Sequence, residues 1–159
     1  MSETPGPDKW HLEPPRIVDA EVQLTAVVRF HIPRTAIVEA MGAGRMEVIE
    51  VLAAQGVEPT GPWFSRHYRM DPEIFDFEVG LTIGRAIEPS GRVMPGTLPG
   101  GRLAFTVYHG GYEGLGSAWG DFVQWMEENG HQPGEQLWEH YATNEDGTPA
   151  TVLCRPLIG

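Results

Sequence analysis

The chain contains two stretches of similar sequence, and each begins at the glycine that closes an amphipathic helical pattern. The first runs from Gly56 to Tyr68 and the second from Gly130 to Tyr141. In both, a proline follows three residues after the glycine, and the stretch ends in a strand pattern that carries an aromatic residue and a His-Tyr pair. This similarity predicts a duplicated unit. Two such units bury their hydrophobic faces by sharing one sheet, and the seam between them is the expected place for a ligand cleft.

The length of 159 residues predicts one domain, because it suffices for one hydrophobic core and little more. Residues 1–9 are expected to form a disordered leader, and 10–159 a single domain with halves at about 15–86 and about 101–158. No apolar run approaches the roughly 20 residues of a membrane helix, and the first residues lack the basic and apolar regions of a signal peptide. These features predict a cytoplasmic protein without membrane contact.

Charge and residue types limit the possible partners. Eleven Lys plus Arg against 22 Asp plus Glu give a net charge of −11, which argues against direct nucleic-acid binding and favours cationic small molecules. The lone Cys154 excludes an internal disulfide and a thiolate zinc cluster. The six histidines show no metal-ligand spacing, and no phosphate-binding loop is present. We therefore predict no metal and no cofactor.

The hydrophobic periodicity predicts the order strand, helix, strand, strand, twice over. The expected strands are 17–32, 63–70, 75–84, 102–109, 136–143 and 151–158, and the expected helices are 35–55 and 115–129. The first strand is expected to bulge at 19–21, the first helix to be capped by Thr35 and weakened or split at Gly42–Gly44, and 88–101 to form a loop. Asp71-Pro72 predicts a turn. The fold class is α+β, an antiparallel or mixed sheet with both helices on one face and a ligand cleft on the other.

Four stretches resemble a known family, the GyrI-like small-molecule-binding domains, which also form the effector-binding half of multidrug-sensing transcription regulators. The stretches are Phe77-Glu78-Val79-Gly80, Leu98-Pro99-Gly100-Gly101, His109-Gly110-Gly111-Tyr112-Glu113-Gly114-Leu115 and Trp138-Glu139-His140-Tyr141. The resemblance spans roughly 17–158. It implies a duplicated strand-helix-strand-strand fold with pseudo-twofold symmetry and a cleft at the seam.

The same resemblance implies promiscuous binding of lipophilic, often cationic aromatic compounds between aromatic walls and one buried glutamate, which is Glu139 here. Regulators of this type attach a helix-turn-helix module. This chain has no residues left for such a module, so we expect a stand-alone member. Some stand-alone members hydrolyse cyclopropane-bearing genotoxins with a glutamate and a tyrosine in the cleft.

Strand alternation places Glu139 on one face with Tyr141, and Trp138 with His140 on the other. A carboxylate in an apolar cleft neutralises a cation or, with a raised pKa, acts as a general acid or base. A solvated strand glutamate is the alternative. Tyr68 stands at the position equivalent to Tyr141 in the first repeat, so it is expected to approach the seam from the opposite half.

Further wall residues are expected among the aromatic side chains near the seam, with packing in the core as the alternative for each. The candidates are Tyr108, Tyr112, Trp63, Phe64, Phe75, Phe77 and Trp138, with Glu78 as a second carboxylate. Trp119, Phe122 and Met126 are expected to lie under the sheet as core residues.

Three functions remain open. The first is multidrug binding with Glu139 as the counter-charge. The second is a hydrolase that opens a strained cyclopropane ring, in which Glu139 activates water and Tyr141 or Tyr68 supplies a proton. The third is a co-regulator that docks on another protein through the open sheet.

Overall fold

The computed structural model describes residues 10–69 and 73–158. The strands are β1 His11–Leu12, β2 Arg16–Ala20, β3 Gln23–Pro33, β4 Phe64–Arg69, β5 Ile74–Ile83, β6 Met94–Leu98, β7 Gly101–His109, β8 Gln132–Pro133, β9 Leu137–Thr143 and β10 Pro149–Ile158. The helices are α1 Ile37–Gln55 and α2 Leu115–Glu128, and a 3-10 turn precedes each helix. The expected leader at 1–9 and the Asp71-Pro72 turn lie outside the described residues.

All ten strands form one sheet, and every strand pair in it is antiparallel. The order is β1-β7-β10-β9-β4-β5-β3-β6, with β2 also on β7 and β8 also on β10. Strand β4 pairs with β9 near the middle of the sheet, and Ser65 lies opposite Glu139 there. The predicted α+β class with an antiparallel sheet is therefore confirmed, whereas the duplication and its symmetry stay a prediction.

Both helices lie on the same face of this sheet. Helix α1 buries Val48 and Leu52 against β3 and β5, and α2 buries Phe122 and Met126 against β7. The side chains of Phe122 and Met126 are fully buried, and burial of such side chains contributes about 1.5–3 kcal/mol each. These two apolar clusters hold the helices apart on either side of the β4–β9 seam.

Helix α1 is continuous, unlike the expected break at Gly42–Gly44, because Gly44 packs directly on β3. A Cβ at Gly44 would lie 2.8 Å from Cε2 of Phe30, so only glycine permits this approach. The helix ends at Gly56 as predicted, with φ of 66°. Thr35 makes no cap, because it lies inside the 3-10 turn Arg34–Ala36 that leads into the helix.

The face opposite the helices is largely covered and keeps a cavity of only about 180 Å³ beside Trp138, His140 and Cys154. Strand β2 and the edge strand β6 close it over an apolar cluster that contains Phe64, Trp138 and Cys154. The expected strand 17–32 is two strands because β2 pairs with β7 while β3 pairs with β5 and β6. Region 88–101, expected to be a loop, contains β6, where Pro95 is tolerated at a sheet edge. No helix in the described ranges is long and apolar enough to cross a membrane.

Candidate ligand site

A groove runs between α1 and α2 on the helical face of the sheet, above the β4–β9 seam. Its central cavity has a volume of about 590 Å³. The side chains that line it are Ile37, Val38, Met41, Arg45, Trp63, His67, Phe75, Tyr112, Leu115, Glu139 and Tyr141, with Gly42. The cleft was expected on the opposite face of the sheet. That face holds the Phe64–Trp138 core and a cavity of only about 180 Å³. The larger free volume lies where the two helices fail to meet.

Two further cavities adjoin the central cavity. One, of about 690 Å³ and here called the Thr143 cavity, shares Trp63 and Tyr141 with the central cavity. The other, of about 780 Å³ and here called the α2 cavity, shares His67 and Glu139 with it. The three together form the groove, and Glu139 lies where its central and α2 parts join.

Glu139 is a buried carboxylate on β9 that faces the helices. Its side chain accepts two hydrogen bonds, one from Nε1 of Trp119 to Oε2 at 2.6 Å and one from the hydroxyl of Tyr141 to Oε1 at 2.6 Å. Burial raises the pKa of Glu139, and these two hydrogen bonds oppose that rise. Among the residues described, no Lys, Arg or His lies within 4.0 Å of its carboxylate.

Tyr141 connects the carboxylate to the aromatic walls. Its hydroxyl lies 2.6 Å from Oγ of Ser65 and donates to Glu139. Burial and the neighbouring negative charge of Glu139 raise the pKa of this phenol well above its ordinary value, so it stays protonated. Its ring lies 4.5 Å from that of Trp63 and 6.1 Å from that of Tyr112, centroid to centroid. The three rings form one wall of the groove.

His67 is a neutral part of the floor. Its ring stacks on Phe77 and meets the edge of Phe75, and only 8% of the residue is exposed. Burial and, less strongly, the charge of Arg34 lower its pKa to about 4. His67 Nε2 lies 3.5 Å from Oγ of Ser65. The groove floor therefore presents no imidazolium cation near Glu139 at neutral pH.

The structure brings four of the predicted site residues together in the groove, namely Glu139, Tyr141, Trp63 and Tyr112. Phe75, a further candidate, lines it as well. The remaining aromatic candidates are packed in the three cores. These are Phe64 and Trp138 on the opposite face, Phe77 under α1, and Tyr108 under α2.

Tyr68 and Glu78 lie on the opposite face of the sheet, so the expected approach of Tyr68 to the Glu139 side of the seam is wrong. The hydroxyl of Tyr68 donates to Glu78, and the guanidinium of Arg66 lies 3.8 Å from the same carboxylate. Burial raises the pKa of Glu78, and burial with the Glu78 contact raises that of Tyr68 to about 12.

The reason for this error is a one-residue offset between the two similar stretches. The stretch from Gly56 to its His-Tyr pair is one residue longer than the stretch from Gly130. A shift of one residue moves a strand side chain to the other face. Because Ser65 lies opposite Glu139, Ser65 and His67 share the groove face, and Tyr68 does not.

The sequence analysis also did not identify Trp119, Arg45 or the α1 side chains of the groove as site residues. These α1 side chains are Ile37, Val38 and Met41. Trp119 packs against the α2 core, as its helical spacing predicts, and in addition its indole N–H donates to Glu139. A half-buried indole N–H needs a hydrogen-bond acceptor, and this need is the one feature of the sequence that points to a polar contact of Trp119. The guanidinium of Arg45 lies 5.0 Å from the Trp63 ring centroid at the groove mouth.

The comparisons with known proteins agree with this architecture. The family model described as the GyrI-like small molecule binding domain matches residues 14–155. No curated protein matches the chain. The C-terminal domain of EcmrR has a TM-score of 0.78 at 15% identity, covering 91% of this chain and 97% of that one. EcmrR in its complex with DNA has a TM-score of 0.75 at 16% identity. The match covers 93% of this chain and 57% of that one, so the chain spans little more than half the length of that protein.

Two other solved structures share the fold. SAV2435, solved bound to tetraphenylphosphonium, has a TM-score of 0.64 at 8% identity, covering 92% of this chain and 95% of that one. A hydrolase from Listeria innocua has a TM-score of 0.58 at 12% identity, covering 91% of each chain. At these identities the likeness shows the fold alone. The match over residues 14–155 shows that the chain belongs to the GyrI-like small molecule binding domain family.

Proposed function

We propose that this chain binds lipophilic, cationic aromatic molecules in the groove between α1 and α2, with Glu139 as their counter-charge. The observation that carries the proposal is a carboxylate that is 8% exposed, lines two cavities and has no basic partner within 4.0 Å among the described residues. A buried charge of this kind is costly unless something compensates it. A ligand cation beside Oε1 or Oε2 would supply the compensation.

The walls of the groove suit flat or bulky aromatic ligands. Trp63, Tyr112 and Tyr141 present rings to the space, and such rings attract cations through their electron-rich faces. Met41 and Ile37 on α1 add an adaptable apolar side. Apolar and aromatic contacts tolerate many shapes, so we expect broad specificity with modest affinity for each ligand.

The relative SAV2435 supports the choice of ligand class, because its structure holds tetraphenylphosphonium, a permanent lipophilic cation. We extend this chemistry to the present chain on the strength of Glu139. The net charge of −11 further favours cations over nucleic acid as partners. Sequestration of such compounds in the cytoplasm would be the resulting role.

The test is a titration of tetraphenylphosphonium followed by calorimetry, with wild type compared to Glu139→Gln. We expect the variant to bind roughly tenfold more weakly, the effect of losing about 1.4 kcal/mol of charge interaction. Glu135→Gln is the matched control, because Glu135 is exposed and the substitution removes the same charge. Equal affinity of Glu139→Gln and wild type would overturn the proposal.

The contact between Tyr141 and Glu139 favours one second candidate, a hydrolase that opens a cyclopropane ring. A carboxylate that accepts from a protonated phenol at 2.6 Å is a suitable acid–base pair for adding water to a strained electrophile. Glu139 would take a proton from water as the water oxygen bonds to a ring carbon, the ring C–C bond would break, and Tyr141 would protonate the carbon that is released. Glu139 would then return its proton to the Tyr141 phenolate. Tyr68, the other tyrosine considered, is on the wrong face for this role.

Incubation with a cyclopropane-bearing alkylator distinguishes the two candidates. Ring-opened product well beyond one equivalent per protein, lost in Tyr141→Phe and kept in Tyr68→Phe on the other face of the sheet, would establish catalysis. Recovery of unreacted compound from a saturated protein would leave binding as the function.

A further inference from the structure

The α2 cavity of the groove carries two arginines as well as Glu139. Arg155 on β10 and Arg34, in the 3-10 turn before α1, both line it. Neither guanidinium lies within 4.0 Å of a carboxylate in the described parts of the chain. In a chain with twice as many acidic as basic side chains, two arginines at one cavity that form no ion pair with the described residues are a local reversal of charge.

Arg155 is close to Glu139 on the same face of the sheet. Leu153 is the residue directly opposite Glu139 in the β9–β10 pair, and Arg155 follows it by two residues. The Cα atoms of such diagonal neighbours typically lie about 7–8 Å apart, and both side chains line the α2 cavity. Arg155 is half-buried, and its Nε donates to the carbonyl of Gly134 at 2.8 Å. Burial lowers its pKa, which reflects a cation held partly away from water without a compensating anion.

Arg34 reaches the same cavity from the α1 side. Its guanidinium lies 4.8 Å from the Phe75 ring centroid, and its charge lowers the pKa of His67 on the cavity floor. The residue itself is exposed, so its head group lies at the mouth. Among the residues that the structure describes, one carboxylate besides Glu139 lines this cavity. It is the exposed Glu127 of α2, and it forms no ion pair with either arginine.

We propose that the groove selects amphiphilic aromatic molecules that carry both charges, with the cationic centre at Glu139 and an oxyanion, such as a carboxylate, at Arg155 and Arg34. This inference rests on the proposed function, because it adds a second charged subsite to the same groove. Glu139 and Arg155 line the same cavity without forming an ion pair, so one ligand in that cavity can meet both charges. A purely cationic ligand leaves the arginines unpaired and meets their repulsion.

The experiment uses two rhodamine dyes that differ only in one group, a free carboxylate in one and its methyl ester in the other. Fluorescence anisotropy measures the affinity of each dye for the full chain. We expect wild type to bind the carboxylate dye roughly fivefold more tightly, the upper range for a partly exposed ion pair. The ester is the more hydrophobic dye, so apolar burial alone would give the opposite order.

Arg155→Gln is expected to bring the ratio of the two affinities to about one while the ester still binds. Ester binding in the same sample shows that the groove is intact. If Arg155→Gln fails to fold, Arg34→Gln, at an exposed position, replaces it and should lower the ratio at least twofold. Arg102→Gln, an exposed arginine remote from the groove, is the charge-matched control and should keep the wild-type ratio.

Each outcome has a distinct meaning. Two outcomes overturn the proposed oxyanion subsite at Arg155 and Arg34: equal binding of the two dyes, or a preference for the carboxylate dye that survives both arginine substitutions. Both outcomes leave the proposed function intact. If neither dye binds wild type, both the proposed function and this inference fail.

Discussion

Ser65 and Glu139 face each other across the β4–β9 pair, and the hydroxyl of Tyr141 lies 2.6 Å from a side-chain oxygen of each. This arrangement joins β4 and β9 at the floor of the groove. Trp119 completes it from α2 by donating to the other carboxylate oxygen. The carboxylate is thus fixed by one donor on its own strand and one on α2, while the cavity beside it stays free for a ligand.

Cation binding should weaken as the pH is lowered through the pKa of Glu139. Burial raises that pKa above 4.5, so protonation removes the counter-charge at a pH where exposed carboxylates are still ionised. Tetraphenylphosphonium is suitable because its charge does not titrate. Its affinity, measured by calorimetry between pH 7.5 and pH 4.5, is expected to fall about tenfold for wild type and to stay level for Glu139→Gln. A wild-type affinity that does not change over this range would contradict the role of Glu139.

Glu78→Gln should leave cation binding within twofold of wild type, although Glu78 is also buried. Its carboxylate lies on the opposite face, where Tyr68 and Arg66 hold it. The free energy of unfolding should fall by about 1–3 kcal/mol, because a hydrogen-bonded charge network loses its anion. Calorimetry with tetraphenylphosphonium and urea denaturation together separate the two effects. Loss of ligand binding in a folded Glu78→Gln variant would show that the site is on the other face.

Acid should destabilise the fold partly through His67. Its folded pKa of about 4 is below the ordinary 6.5, so the unfolded chain takes up the proton first. The stabilisation is fully present above pH 6.5 and is lost as the pH falls towards 4, by up to about 3 kcal/mol. Urea denaturation at pH 7.5 and pH 4.5 measures the loss.

His67→Phe keeps the stacking on Phe75 and Phe77 but cannot titrate, so it should lose about 2.5 kcal/mol less than wild type over that interval. His31→Phe, at an exposed position, is the control and should lose as much as wild type. Identical pH dependence in wild type and His67→Phe would mean that the imidazole is solvated.

The two glycines of α1 should respond oppositely to alanine. A Cβ at Gly44 would meet Phe30 at 2.8 Å, so Gly44→Ala should cost about 1–3 kcal/mol and displace the helix that walls the groove. A Cβ at Gly42 meets nothing within 4 Å, so Gly42→Ala should stabilise the helix by roughly 0.5–1 kcal/mol. Thermal unfolding of the two variants measures the difference. A stabilised Gly44→Ala would show that α1 does not pack on β3 at this point.

Local periodicity was enough to predict the class of fold, the end of α1 at Gly56, and the shared face of Glu139 and Tyr141. Each of these depends on neighbours within a few residues. The division of 17–32 into β2 and β3 depends instead on pairing with the distant strands β7 and β5. No local pattern determines that choice, and the same is true of β6, whose proline and glycine favour a loop.

The sequence predicts only part of the site, because the rest depends on contacts between distant segments. Glu139 and Tyr141 followed from alternation within one strand, but the face of Tyr68 depended on a one-residue difference between two similar stretches. The placement of the groove depended on where α1 and α2 separate and on what fills the other face. The contact of Trp119 with Glu139 joins residues 20 positions apart through the tertiary fold.

The most direct measurement is the pKa of Glu139 itself, followed by NMR on the side-chain carboxyl carbon with and without saturating tetraphenylphosphonium. In the free protein the pKa should lie above 4.5, because burial disfavours the charged form. A bound cation next to the carboxylate should lower it by about one unit, equivalent to about 1.4 kcal/mol of interaction. A Glu139 pKa that is the same in the free and the saturated protein would show that the cation does not bind beside this carboxylate.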